Sequence, residues 1–530
     1  MRRILVLATL FCCVLGDTLL KLDYGMFNGT NEDGLTVWRG VPFAKPPVGD
    51  LRFRAPQPPQ RFSSLQQADK FGNSCIQFVN MTAPNNASED CLSLNIWKPA
   101  NAQNLPIVFW IHGGAFLLGS SAMDVYDGSR LVKQSNNSII FVSSNYRLGA
   151  LGFLASDEIL KDGDLNAGLL DQRMALEWVR KYATLFGGDP TRITAMGESA
   201  GAISIGLHLV SSSPKNTKKR QRLSSRQEKA PLQRPFDRAI LSSGSSTSAY
   251  NCMTYKSFQP VYNALVENVN CSNANNTLEC LRKSDITVLH TAGVALAEST
   301  FPQLKYPPVA GGEYISKGCS DVLDSRQFLD VPLIVGTNTN EGTLFANNIP
   351  SNTTEEYISG LKKIIPCISN STIQDLIKLY PEEKEIPQFD TRLSLPFGDM
   401  TFICPAYKLA KAYSTNVYKY RFNQPDGPLG ARHGGDIPYM FHNVANLTAS
   451  EAQLSDIMTN YYISFIRSGD PNAHTPYIKW PKFAGERIKF EAENTELEKD
   501  TSDNEICTYW NSHNYNCQPD NAKNEPKDEQ

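Results

Sequence analysis

The run Arg192-Ile193-Thr194-Ala195-Met196, Gly197-Glu198-Ser199-Ala200-Gly201, Ala202-Ile203-Ser204-Ile205-Gly206-Leu207 constrains this chain more than any other stretch. Its first segment reads as a short buried strand and its last as a helix packed on a sheet. A G-x-S-x-G turn between such elements is so tight that the serine sits in strained backbone with its oxygen at the top of the sheet. Glycines two residues to either side let strand and helix approach without side-chain clash. Ser199 is therefore the expected nucleophile.

The surroundings supply the sheet. Leu105 to Ile111, Ser138 to Asn145, Arg192 to Met196, Arg238 to Leu241, Pro332 to Gly336 and Val417 to Phe422 read as strands. Helical patterns lie between them, notably Gly168 to Tyr182 and Ala202 to Val210. This alternation predicts a mostly parallel sheet covered on both faces. Residues 250–400 are longer and more irregular and are expected to hold insertions that roof the site.

A serine needs a base, the base an orienting acid, and the oxyanion donors. Of seven histidines, His433, His442, His474 and His513 follow a plausible acid. His433 stands out because Gly430-Ala431-Arg432-His433-Gly434-Gly435 lets a loop present an imidazole in a crowded place. The acid is expected at Glu341, in the loop after the buried Pro332-Leu333-Ile334-Val335-Gly336 strand, at the end where open α/β sheets carry their sites. His112-Gly113-Gly114-Ala115-Phe116 follows the apolar run Val108 to Ile111 and has the form of a backbone-donor loop. The N–H groups of Gly113, Gly114, Ala115 and Ala200 are the candidate oxyanion donors. His112 reads as a loop-packing residue.

The start of the chain reads as a signal peptide, residues 1–16. Arg2 and Arg3 precede an apolar Ile4 to Leu15 too short to span a bilayer, and Val14-Leu15-Gly16 suits cleavage before Asp17. Nine N-x-S/T sequons, at Asn28, Asn80, Asn86, Asn136, Asn270, Asn275, Asn352, Asn370 and Asn446, fit glycosylation during secretion. Of twelve cysteines, Cys12 and Cys13 leave with the leader and ten remain, an even number that fits disulfides. Residues 17–517 are expected to form one domain and 518–530 a polar tail. Pro214 to Arg234, with eight Lys and Arg, reads as a basic surface insertion. Sharper readings of it are a processing site at Lys218-Lys219-Arg220 or a polyanion-binding patch. A net charge of −3 over 530 residues argues against nucleic acid as partner, and no later stretch approaches 18 apolar residues.

Together these motifs resemble the type-B carboxylesterase/lipase family, which includes cholinesterases, over nearly all of residues 20–510. Further matches are Trp38-Arg39-Gly40-Val41-Pro42-Phe43-Ala44, Glu89-Asp90-Cys91-Leu92-Ser93-Leu94-Asn95-Ile96, Asn145-Tyr146-Arg147-Leu148-Gly149, Asn166-Ala167-Gly168-Leu169-Leu170-Asp171-Gln172 and Phe186-Gly187-Gly188-Asp189-Pro190. The resemblance implies an α/β-hydrolase fold, a Ser199, Glu341 and His433 triad, and serine carboxylesterase activity through an acyl-enzyme. It implies ion pairs Arg52–Glu89 and Arg147–Asp171, and disulfides Cys75–Cys91, Cys271–Cys280 and Cys404–Cys507. Cys252, Cys319, Cys367 and Cys517 stay unassigned. The loop Ile76 to Asp90 lacks the tryptophan that in cholinesterases binds choline by cation–π attraction, which argues against acetylcholine as preferred substrate. The family's aromatic acyl-pocket position falls near Tyr250.

The expected partner is a small-molecule or lipid ester, with no cofactor and no metal, and the expected location is secreted or the lumen of secretory vesicles. Two rival readings are a catalytically silent adhesion or storage glycoprotein of the same fold, and a neutral-lipid or sterol-ester hydrolase.

Overall fold

The computed structural model describes residues 18–79, 83–211, 234–299, 302–365, 368–382, 386–413 and 416–512. The expected signal peptide, nearly all of the basic insertion, Asn80, Cys367, His513, Cys517 and the tail lie outside the described residues.

Eleven strands make the central sheet: β1 (Thr30–Glu32), β2 (Leu35–Pro42), β3 (Ser93–Pro99), β4 (Leu105–Ile111), β5 (Ile140–Ser144), β6 (Gly188–Glu198), β7 (Arg238–Ser242), β8 (Leu333–Asn338), β9 (Val417–Phe422), β10 (Glu486–Phe490) and β11 (Glu496–Lys499). Their spatial order is β11-β10-β9-β8-β7-β6-β4-β5-β3-β2-β1. Every pair from β5 through β10 is parallel. The margins, β5 with β3, β2 with β3, β1 with β2, and β10 with β11, are antiparallel. This is the α/β-hydrolase fold.

The run Leu105–Ile111 is apolar throughout because both faces of its strand are covered. Ile107, Phe109 and Ile111 share a core with Leu176 and Val179 of helix α2 and Ile205 and Leu209 of helix α3. Val108 and Trp110 point the other way, among Leu131 and Val132 of α1 and Tyr461 and Phe465 of α4. These helices are α1 (Gly128–Gln134), α2 (Ala167–Tyr182), α3 (Ala200–Ser211) and α4 (Ala449–Ser468). Trp110 lies edge-on to Phe441 with ring centres 4.7 Å apart.

The strand order reverses around β4, with β5 on one side and β6 on the other. Beyond the strand ends at such a reversal a crevice opens. A third apolar core, including Tyr250, Tyr357, Leu361, Phe397 and Phe402, stands beside it. It is built mainly from segments between β8 and β9: helix Thr354–Ile364, helix Asn370–Leu379, and the run Ser394–Ala412.

Cys75–Cys91, Cys271–Cys280 and Cys404–Cys507 are bridged, and Cys252–Cys319 forms a fourth disulfide. Arg52 grips Glu89 through two hydrogen bonds, of 2.6 and 2.7 Å, and its third nitrogen donates to the carbonyls of Arg282 and Ser284. Arg147 grips the fully buried Asp171 at 2.8 and 2.6 Å. Asn86, Asn136, Asn270, Asn275, Asn352, Asn370 and Asn446 are exposed, and Asn28 is half-buried.

Candidate active site

Ser199 sits between β6 and α3 at φ +55°, left-handed backbone that non-glycine residues rarely occupy. Such a conformation costs about 1–3 kcal/mol and persists only where its surroundings enforce it. Here its N–H donates to the Ser242 carbonyl at 2.9 Å, and its carbonyl accepts from the Ile203 N–H at 2.8 Å. Strand and helix meet so closely that a Cβ on Gly201 would fall 2.0 Å from the Ile111 carbonyl oxygen. The glycine is therefore a packing requirement of the turn.

The loop after β4 lies against this turn. A Cβ on Gly113 would come within 2.8 Å of Glu198 Oε2 and 3.0 Å of Ser199 Cβ. Gly114, Ala115 and Phe116 follow with φ of +108°, +54° and +60°. That succession curls the chain so that the Leu117 and Leu118 N–H groups both donate to the Gly114 carbonyl. Ala200 opens α3 directly after Ser199, at the positive end of the helix dipole. His112 is buried beneath the loop, stacked on Tyr146 at 4.4 Å, with Nδ1 against the Gly113 carbonyl. Burial pushes its imidazole down to about 4, so it is neutral at physiological pH.

Glu341 and His433 come from loops that follow β8 and β9. His433 Nδ1 lies 2.6 Å from Glu341 Oε2, and Glu341 Oε1 accepts from the Asn338 N–H at 2.7 Å. The same Asn338 donates its side-chain amide to the Arg432 carbonyl at 2.6 Å, so one residue ties Glu341 to the loop that carries His433. His433 Nε2 is buried, 3.3 Å from Glu198 Oε1, and has no hydrogen-bond partner among the described residues. Ser199 follows Glu198 directly in the chain, and Glu198 is the residue whose carboxyl faces His433 Nε2.

Four further residues join this site, none of which the sequence marks for a role there. Glu198 was visible only as a variable position of the turn; it is buried and faces the imidazole. Burial pushes its carboxyl up to about 8, and the neighbouring carboxylates of Asp436 and Glu341 add to the rise. Asp436, three residues after His433, accepts from Ser242 and from the Tyr420 hydroxyl, and burial raises its carboxyl as well. Phe402 stacks on the His433 ring at 4.2 Å and Phe345 approaches it at 5.2 Å. Phe402 lies in a π-helical turn, Asp399–Ile403, that interrupts the run Ser394–Ala412. Such turns re-aim a side chain within a helix and recur at functional sites. For His433 itself, burial disfavours the charged ring, but Glu198, Glu341 and Asp436 outweigh it and hold the imidazole above its ordinary value.

Of the other histidines weighed, His442 pairs with Asp456 at 2.9 Å and His474 is exposed. Among the described residues, no group of three or more His, Cys, Asp or Glu side chains is placed to hold a metal ion. No described helix is long and apolar enough to cross a membrane.

A family model described as the carboxylesterase family matches residues 16–510. The chain is 34% identical to secreted lipase 1 of Botryotinia fuckeliana, over 85% of each chain. It is 30% identical to acetylcholinesterase of Danio rerio, over 93% of this chain and 88% of that one. Among solved structures, EstA of Aspergillus niger superposes with a TM-score of 0.82 at 31% identity, covering 93% of this chain and 98% of the other. A PNB esterase does so at 0.76, also at 31% identity, covering 91% and 98%.

Proposed function

This chain belongs to the carboxylesterase family, and from that premise we propose that it hydrolyses carboxylic esters through a covalent acyl-enzyme on Ser199. The observation that carries the reading is the Glu341–His433 pair, 2.6 Å apart, whose free ring nitrogen lies 3.3 Å from Glu198, the residue directly before a serine held at φ +55°. His433 Nε2 accepts the proton as Ser199 Oγ attacks the ester carbonyl. The ring is then an imidazolium, and Glu341 stabilises it and fixes the tautomer through Nδ1. The N–H groups of Gly113, Gly114, Ala115 and Ala200 receive the oxyanion; loss of one donor of this kind costs about 3 kcal/mol. His433 passes its proton to the leaving alcohol. A water then cleaves the acyl-serine by the same route and releases the carboxylic acid.

The substrates are esters of carboxylic acids, and the Cys75–Cys91 loop offers no tryptophan to attract choline. Secretion fits the four bridges among the described residues, the exposed sequon asparagines and the similarity to a secreted lipase. The test is hydrolysis of p-nitrophenyl esters from acetate to palmitate by wild type and by Ser199→Ala. Turnover that disappears with the serine supports the reading, and equal rates from both proteins refute it.

A further inference from the structure

The loop after β4 turns back on itself beyond the candidate donors. Gly119 has φ +111°, and a Cβ there would lie 2.5 Å from His112 Nδ1 and 2.7 Å from the Gly113 carbonyl oxygen. Gly119 is thus packed directly against the residues that open the donor run. Ala115 and Phe116, within that run, occupy left-handed backbone. Strain of that kind persists only where the surroundings enforce it.

The enforcement comes largely from one buried side chain on another loop. Gln77 stands two residues after Cys75, inside the loop closed by the Cys75–Cys91 bridge. Its Oε1 accepts from the Gly119 N–H at 2.6 Å. Its Nε2 donates to the Gly119 carbonyl at 3.1 Å and to the Cys75 carbonyl at 2.6 Å. One amide therefore satisfies both backbone polar groups of Gly119, which fixes distance and orientation together. The Phe78 N–H donates to the Leu117 carbonyl at 2.6 Å, and the Leu117 N–H donates in turn to the Gly114 carbonyl. Further ties hold one atom each: the Tyr146 hydroxyl on the His112 carbonyl, and the Gly149 N–H on the Phe116 carbonyl. Gln77 is itself steadied from outside. His290, on the helix Ile286–Glu298, donates from Nε2 to the Gln77 carbonyl at 2.7 Å, and its ring meets Phe78 edge-on at 5.8 Å.

We infer that Gln77, steadied by His290, is a positioning residue that keeps the N–H groups of Gly113, Gly114 and Ala115 aimed at the oxyanion. The inference rests on the esterase reading and deepens it. Without the clamp, the Gly119 N–H and carbonyl lose their buried partner, and the strained run relaxes. The ester still binds, but the charge that develops on its carbonyl oxygen meets displaced donors. The loss falls on the transition state, so it appears in kcat and leaves KM alone.

The experiment compares wild type with Gln77→Met, which keeps the length and bulk of the side chain and makes neither bond to Gly119. With p-nitrophenyl acetate, kcat is expected to fall about tenfold to a hundredfold, the scale of a misplaced or lost donor, with KM little changed. The second readout is inhibition by an aryl trifluoromethyl ketone. Ser199 Oγ adds to the ketone carbon, the hydroxyl proton passes to His433, and the carbonyl oxygen becomes an oxyanion with no leaving group to expel. Its inhibition constant is expected to rise by the factor that kcat/KM falls. A merely structural role would lower the melting temperature while the folded variant kept wild-type kcat and inhibition constant, and that result overturns the inference. Should Gln77→Met fail to accumulate as folded protein, His290→Phe keeps a ring against Phe78 and removes the N–H to the Gln77 carbonyl. A smaller, parallel shift of kcat and inhibition constant supports the role, and wild-type values for both overturn it. Wild type that turns over esters while no variant shifts either quantity loses only this inference. Wild type inert to every ester and to the ketone loses the esterase reading and this inference with it.

Discussion

Asn340 and Ala431 are joined by a reciprocal pair of hydrogen bonds: the Asn340 N–H donates to the Ala431 carbonyl at 3.0 Å, and the Ala431 N–H donates to Asn340 Oδ1 at 2.9 Å. One residue is the neighbour of Glu341, and the other lies two before His433. The 2.6 Å contact between acid and base is therefore set by a short ladder between their loops, reinforced by the bonds from Asn338. Replacing Asn340 by Ala leaves the buried Ala431 N–H without its side-chain acceptor, a loss of about 1–3 kcal/mol. We expect kcat to fall about tenfold or more, with KM little changed, in steady-state assays on the folded variant. Wild-type kcat would show that the ladder does not set the pair.

The turn at Ser199 predicts a sharp difference between glycines. Gly201→Ala forces a methyl group to 2.0 Å from a carbonyl oxygen in the core, costing about 3 kcal/mol or more. Gly427 has φ +73° but open space around it. Its change to Ala meets only the backbone cost of about 1–2 kcal/mol. Thermal melting of the two variants should place Gly201→Ala well below Gly427→Ala. Equal melting temperatures would refute the packing argument.

The buried acids predict the pH profile. His433 must be neutral to accept a proton, and its environment raises it above the usual imidazole value of about 6.5. Activity is therefore lost as pH falls through that raised value, and the acid limb of kcat/KM has its midpoint above 6.5. Glu198→Gln removes one of the groups responsible, so the limb should move to lower pH. A limb unmoved by Glu198→Gln would mean that the two groups do not titrate as a coupled pair.

Ion pairs of different burial should respond differently. Burial raises Asp171 more than Arg147 pulls it back, so the pair is costly to assemble. It is costlier to break, since Asp171→Asn leaves a buried guanidinium uncompensated, about 3–5 kcal/mol. Lys181–Asp23 is exposed, with 59% of each side chain accessible. Lys181→Ala should cost less than about 1 kcal/mol. Denaturation midpoints of the two variants check the contrast.

Much of the fold was legible because apolar runs mark doubly covered strands. Val417 to Phe422 matches β9 residue for residue, and Leu105 to Ile111 matches β4. The antiparallel margins were not legible as strands. In β10, Arg487 and Lys489 are buried and satisfied by Glu498, Asp500, Glu491 and Glu496, so the strand reads as surface. β2 is broken by a bulge between Trp38 and Val41, where Gly40 has φ +71°. At the site, Ser199, Glu341 and His433 each carry a local signal: a glycine turn, a strand end, a glycine-flanked histidine. Phe402 carries none, since only an interruption of helical periodicity within an irregular region aims it at the imidazole. The pairing of Cys252 with Cys319 likewise depends on how that region packs, which spacing does not encode.

The central claim is a covalent acyl intermediate on Ser199. The most direct measurement is intact-mass and peptide-mass analysis of enzyme quenched in acid milliseconds after mixing with p-nitrophenyl acetate. The account predicts an acetyl group on the peptide bearing Gly197-Glu198-Ser199-Ala200-Gly201, formed with the p-nitrophenol burst and absent from Ser199→Ala. Hydrolysis of the ester with Ser199 unmodified, or an acetyl group trapped elsewhere while Ser199→Ala keeps its burst, would contradict it.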